Sequence, residues 1–80
     1  MPEKIDTEMA LDLKGLSCPV PMVKVSQNIK KIQEGKILKA VTSDPGSLAD
    51  IPSWAKSTGN EIIRIDKAKE EFTFYIKRTA

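Results

Sequence analysis

The sequence predicts a two-layer α/β sandwich: a four-stranded mixed sheet in the order βαβαββ, with both helices on one face. Three observations predict it. The chain has 80 residues, which is one domain with a thin core and a sheet covered on a single side. Two stretches carry apolar residues at helical spacing, and four short stretches carry strand patterns. The helices alternate with the first three strands, and the last two strands follow each other across a short polar turn. Strand–helix–strand crossovers favour parallel neighbours, and the closing hairpin adds an antiparallel pair.

Residues 1–8 are polar and unpatterned and read as a flexible tail before a single domain at 9–80. Met9 to Leu13 is the first strand, with Leu11 and Leu13 on one face, and Gly15 turns the chain after it. The first helix opens at Cys18-Pro19-Val20-Pro21 and carries Met22, Val25, Ile29 and Ile32 as one apolar stripe. Gly35 sits where a left-handed C-terminal cap is expected. Ile37 to Thr42 is mostly apolar, as an interior strand is. Ser43-Asp44-Pro45-Gly46 is a turn by composition, and Ser47 with Asp50 resembles a capping arrangement. The second helix runs to about Thr58 and ends at Gly59, burying Leu48, Ile51, Trp54 and Ala55. Pro52 inside it predicts a bend or a one-turn break near Leu48 to Ile51. Glu61 to Asp66 and Phe72 to Lys77 are the last strands, joined by Lys67 to Glu71. Phe72, Phe74 and Ile76 alternate towards the core.

Composition excludes several chemistries. Apolar residues make up 40% and charged residues 30%, too apolar a balance for a wholly disordered chain. The sequence contains no histidine, so no Ser-His-Asp or Cys-His pair forms within it. Its single cysteine, Cys18, excludes an internal disulfide, a CxxC pair and a Cys-rich zinc site. Asp44 and Asp50 are not spaced as a calcium loop, so neither a metal nor a cofactor is expected. A free thiol fits a reducing compartment. With no apolar run long enough to span a bilayer and no signal-peptide core, the expectation is a cytoplasmic protein without a membrane contact.

Charge is unevenly placed. Lys4 against Glu3, Asp6, Glu8 and Asp12 gives residues 1–13 a net −3, whereas Lys14, Lys24, Lys30, Lys31, Lys36 and Lys39 against Glu34 give residues 14–43 a net +5. Such a basic middle attracts an acidic partner protein or a nucleic acid, or is simply a solvated helix face.

Cys18 precedes a proline, which pushes it towards extended geometry, the shape of an N-cap residue. On that reading Pro19 falls at the first helical position and Pro21 at the third. Two of the four N–H groups that a helix start leaves unpaired are then absent. The Cys18 sulfur is expected near the Val20 N–H and the positive end of the helix dipole, partly exposed and mildly acidic. The plainer reading is an inert core cysteine, since Cys18 also continues the apolar stripe four residues before Met22.

The segment Leu11-Asp12-Leu13-Lys14-Gly15-Leu16-Ser17-Cys18-Pro19-Val20-Pro21, with its Cys-Pro-x-Pro motif, resembles the opening of the TusA/SirA-like sulfur-carrier family. The resemblance continues through Gln33-Glu34-Gly35, Ser43-Asp44-Pro45 and Asp50-Ile51-Pro52, and covers residues 9–78. It implies a βαβαββ fold like the C-terminal domain of a bacterial translation initiation factor. It also implies that Cys18 carries sulfur as a persulfide, taken from a cysteine desulfurase or rhodanese and passed to an acceptor in tRNA thiolation or sulfur oxidation. The tRNA-thiolation carriers tend to have Glu where this chain has Val20.

The candidate site is therefore Cys18, supported by Pro19, Val20 and Pro21, with Lys24, Lys31, Asp44 and Asp50 as possible partner contacts. Asp44 and Asp50 read first as turn and cap residues. A carrier needs no general base, which suits a chain without histidine better than a stand-alone enzyme does. The competing readings are a nucleic-acid module using the basic first helix and a regulatory or interaction domain in which Cys18 is incidental. Direct nucleic-acid binding is disfavoured by the lack of aromatic interleaving.

Overall fold

The computed structural model describes residues 7–17 and 19–79, so most of the expected tail lies outside the described residues. The elements are β1 (Met9–Leu13), α1 (Val20–Ile29), β2 (Ile37–Thr42), α2 (Ser47–Thr58), β3 (Glu61–Lys67) and β4 (Phe72–Lys77). All six expected elements are present. The sheet order is β1-β2-β4-β3, with β1 parallel to β2 and β4 antiparallel to both β2 and β3.

The second crossover does not make parallel neighbours. It carries β3 to the far edge, and β4 returns between β2 and β3. The side chains explain this choice. Phe72, Phe74 and Ile76 are all buried on the helix side of β4, and an interior strand surrounds them best. β3 has four exposed residues among its seven and a register irregularity between Ile62 and Arg64. Charges and a bulge suit an edge strand, because they discourage further pairing.

The core lies between the sheet and the helices. Leu13, Leu38, Ala40, Phe72, Phe74 and Ile76 meet Val25, Ile29, Ile32 and Ile51 there. Burial of one such aliphatic or aromatic side chain contributes about 1.5–3 kcal/mol. That scale explains why α2 runs unbroken through Pro52, against the expected break. The missing donor and ring clash cost about 3 kcal/mol, whereas an unbroken helix keeps Ile51 and Ala55 buried, with Leu48 and Trp54 packed beside them. Proline also falls just past the first turn, which is already tightened by i→i−3 bonds from Ser47, Leu48 and Ala49.

The start of α2 departs from expectation as well. Gly46 is the N-cap and no side chain caps the helix. Ser47 instead turns its hydroxyl inward, 2.6 Å from the Thr42 hydroxyl at the end of β2. The far end agrees with the sequence: Gly59 closes α2 in the left-handed conformation, at φ 82°.

α1 is shorter than the pattern suggests. It stops at Ile29, and Lys31 and Ile32 make i→i−3 bonds that tighten the chain into a turn. Gly35 does take a left-handed φ of 87°, but in the turn leading into β2 rather than as a cap. Its N–H donates to the Arg78 carbonyl at 2.7 Å, and the Arg78 N–H donates back to Lys36 at 2.9 Å. The Arg78 guanidinium also donates to the carbonyls of Lys30 and Ile32. A cation placed there satisfies carbonyls that a helix C-terminus leaves unpaired. No helix among the described residues is long and apolar enough to cross a membrane.

Candidate functional site

Cys18 itself lies outside the described residues, so the site is built from what flanks it. On the upstream side β1 ends at the buried Leu13. Lys14 donates its N–H to the Asp12 carboxylate at 3.2 Å, and Gly15 turns with φ 85°, a conformation glycine adopts without strain. The Gly15 N–H then donates to the Ser43 hydroxyl at 2.8 Å, across 28 residues of chain.

Downstream, the helix begins one residue later than the sequence suggests. Pro19 is the N-cap, with φ −94° and ψ 12°, and its carbonyl accepts the first helical bond from the Val23 N–H at 3.0 Å. Val20 is thus the first helical residue and Pro21 the second. The reason is a turn closed ahead of the helix, in which the Val20 N–H donates to the Ser17 carbonyl at 2.9 Å. This corrects the expectation that Cys18 is the cap and that the Val20 N–H serves its sulfur. The helix dipole remains the electrostatic influence at this end.

The supporting residues separate by exposure. Pro21 is fully buried, and Pro19 is exposed. Val20 and Val23 are each 41% exposed, two of the three large hydrophobic side chains most open to solvent among the described residues. Lys24 is exposed on α1, and Lys31 is exposed in the turn after it. No acidic residue occurs from Leu13 to Gln33, so the apolar pair adjoins a positively charged surface.

Asp44 and Asp50 sit differently from one another. Asp44 organises the turn between β2 and α2: its carboxylate accepts from the Gly46 N–H at 3.0 Å, and its carbonyl accepts from the Ser47 hydroxyl at 2.7 Å. Asp50 is in the first turn of α2, where a negative charge complements the dipole. With Pro19, Met22, Ser53, Trp54 and Ser57 it lines an open groove of about 470 Å³ between the two helices. The fold therefore brings Asp50 and Pro19 to one groove, 31 positions apart in sequence, and leaves Lys24 on α1 and Lys31 in the turn after it exposed to solvent. Trp54 also lines a second hollow, of about 380 Å³, with Ser26, Ile29, Thr58 and Asn60. Its indole N–H is buried without an acceptor among the described residues. No group of three or more His, Cys, Asp or Glu residues that could hold a metal ion occurs among the described residues.

A sequence profile of the family described as Sulfurtransferase TusA matches residues 9–78. The chain belongs to this family. Among TusA-family relatives, it is 34% identical over 74 residues to the sulfur carrier protein TusA of Allochromatium vinosum, covering 92% of this chain and 97% of that one. It is 41% identical over 78 residues to a protein of Aquifex aeolicus named as a candidate sulfur carrier, covering 98% of this chain. The chain spans only about two fifths of that relative's length, 40%. The fold agrees with the crystal structure of the SirA-like protein from Desulfitobacterium hafniense. That likeness has a TM-score of 0.76 over 90% of this chain and 99% of the other, at 15% identity. The expected βαβαββ sandwich is thus the fold of a TusA-family protein.

Proposed function

We propose that this protein is a sulfur carrier in which Cys18 holds sulfur as a persulfide between a donor and an acceptor protein. The observation that carries the reading is the family match over residues 9–78, with the chain's single cysteine at the entrance to α1. The chemistry is an exchange and needs no external oxidant. The Cys18 thiolate attacks the outer sulfur of a donor persulfide, a new S–S bond forms on Cys18, the donor S–S bond breaks, and the donor cysteine leaves as thiolate. A thiolate on the acceptor later removes that sulfur by the same step. Donors of the cysteine desulfurase or rhodanese type and acceptors in tRNA thiolation, sulfur oxidation or related trafficking fit this chemistry, in a reducing, cytoplasmic setting.

Partner docking falls to the surface around Cys18, with Val20, Val23 and Lys24 on one side and Pro19 and Asp50 at the groove on the other, and extends to Lys31 beyond the far end of α1. Phe72 and Phe74 are buried, so these two rings offer no stacking platform for bases. The test is intact-protein mass after incubation with a cysteine desulfurase and cysteine. Wild-type protein gains one sulfur atom that a reductant removes, and Cys18→Ser gains none. Equal loading of both proteins overturns the reading.

A further inference from the structure

Two loops meet at the α1 entrance, and one hydroxyl joins them. The loop after β1 leads to Cys18 and contributes the Gly15 N–H; the loop after β2 contributes the Ser43 Oγ, 2.8 Å away. The second loop is internally fixed. The Asp44 carboxylate holds the Gly46 N–H, and the Ser47 hydroxyl donates to the Asp44 carbonyl. The same hydroxyl lies 2.6 Å from the Thr42 Oγ1 in the protein interior. Ser43 is therefore held on a rigid loop, and Gly15 hangs from it.

We propose that Ser43 is a positioning residue for sulfur transfer, its hydroxyl fixing the β1–α1 loop that presents Cys18. This rests on the reading of Cys18 as the sulfur-bearing residue. Attack on an S–S bond requires the incoming thiolate in a narrow range of position and direction, and small misplacements slow such steps. While Leu16 packs on the core and the Lys14 side chain pairs with Glu71 on the surface, the Gly15–Ser43 bond ties the backbone of this loop to the β2–α2 loop. Without it the loop samples more arrangements and only a fraction of them are competent, so the rate falls while the capacity for sulfur does not. Ser43 carries no ionisable group, so the proposed role is one of position and not of charge.

The test compares Ser43→Val with Ser43→Thr, side chains of matched shape that differ in the hydroxyl. In Ser43→Val the Gly15 amide exchanges with solvent about three- to tenfold faster, the scale of one lost hydrogen bond. Sulfur uptake from a persulfidated cysteine desulfurase slows by a similar factor. The end point stays at one sulfur per chain, and the midpoint of thiol alkylation against pH does not move. Ser43→Thr retains wild-type exchange and uptake. Should Ser43→Val lose its fold, Ser43→Ala and Ser43→Asn replace the pair, asparagine keeping an acceptor oxygen. Uptake at the wild-type rate despite faster Gly15 exchange reduces Ser43 to a loop tie and overturns the proposal, as does unchanged exchange. Loading that persists in Cys18→Ser overturns the carrier reading instead, so the two failures are separate.

Discussion

Pro19 and Pro21 look equivalent in the sequence and are not equivalent in the fold. Pro21 is fully buried and packs with the core, whereas Pro19 is an exposed N-cap whose carbonyl starts the helix. Replacing Pro21 with alanine removes ring carbons from the interior and loosens the unfolded chain, which costs about 2–3 kcal/mol by denaturant titration. The same change at Pro19 costs no more than about 1 kcal/mol, from chain entropy alone. Equal losses at the two positions would contradict this assignment. The Cys-Pro-x-Pro motif was legible because consecutive residues specify it. Ser43 was not, since its part depends on a hydrogen bond spanning 28 positions. A serine beside Asp-Pro carries a turn signal and nothing about the loop opposite.

Element by element, the strands and the Gly59 end of α2 were readable, and the other helix ends were not. Alternation in β4 and the apolar run of β2 record burial directly, residue by residue. Where α1 stops is decided by Arg78, whose guanidinium reaches the Lys30 and Ile32 carbonyls from 48 and 46 positions away. The N-terminus of α2 departs from its sequence pattern for a related reason, because the Ser47 hydroxyl is drawn inward by Thr42. Its one proton goes to the Asp44 carbonyl, so Thr42 must donate to Ser47. Ser47→Ala therefore strands a buried donor and costs about 1–3 kcal/mol. Adding Thr42→Val to that variant removes the stranded donor and recovers part of the loss. A double variant less stable than Ser47→Ala alone, measured by the same unfolding midpoint, would show that Thr42 is not the donor.

For the molecule as a whole, charge and layering set how partners arrive. Of the unbalanced lysines, Lys24 lies on α1 with Val20 and Val23 and Lys31 in the turn after it, whereas Lys14 and Lys39 line a hollow on the other side of the sheet with Glu71. On the proposed reading, an acidic donor surface is steered in over a distance that shrinks from about 30 Å at 0.01 M salt to about 8 Å at 0.15 M. Sulfur loading measured below saturation should slow as salt rises, and Lys24→Glu with Lys31→Glu should slow it further, while the saturated rate holds. Loading indifferent to both changes would place docking elsewhere. The position of β4 has a consequence for how the chain is made. The strand that fills the middle of the sheet is the last of the six elements in sequence. On the ribosome, β2 must wait with one edge open, and Leu38 and Ala40 without their β4 partners Ile76 and Phe74, until residues 72–77 have emerged. An open strand edge beside uncovered apolar side chains is what chaperones bind and what aggregates. The partly made sheet is thus at its most vulnerable until β4 emerges, and it is the centre of the sheet that closes last.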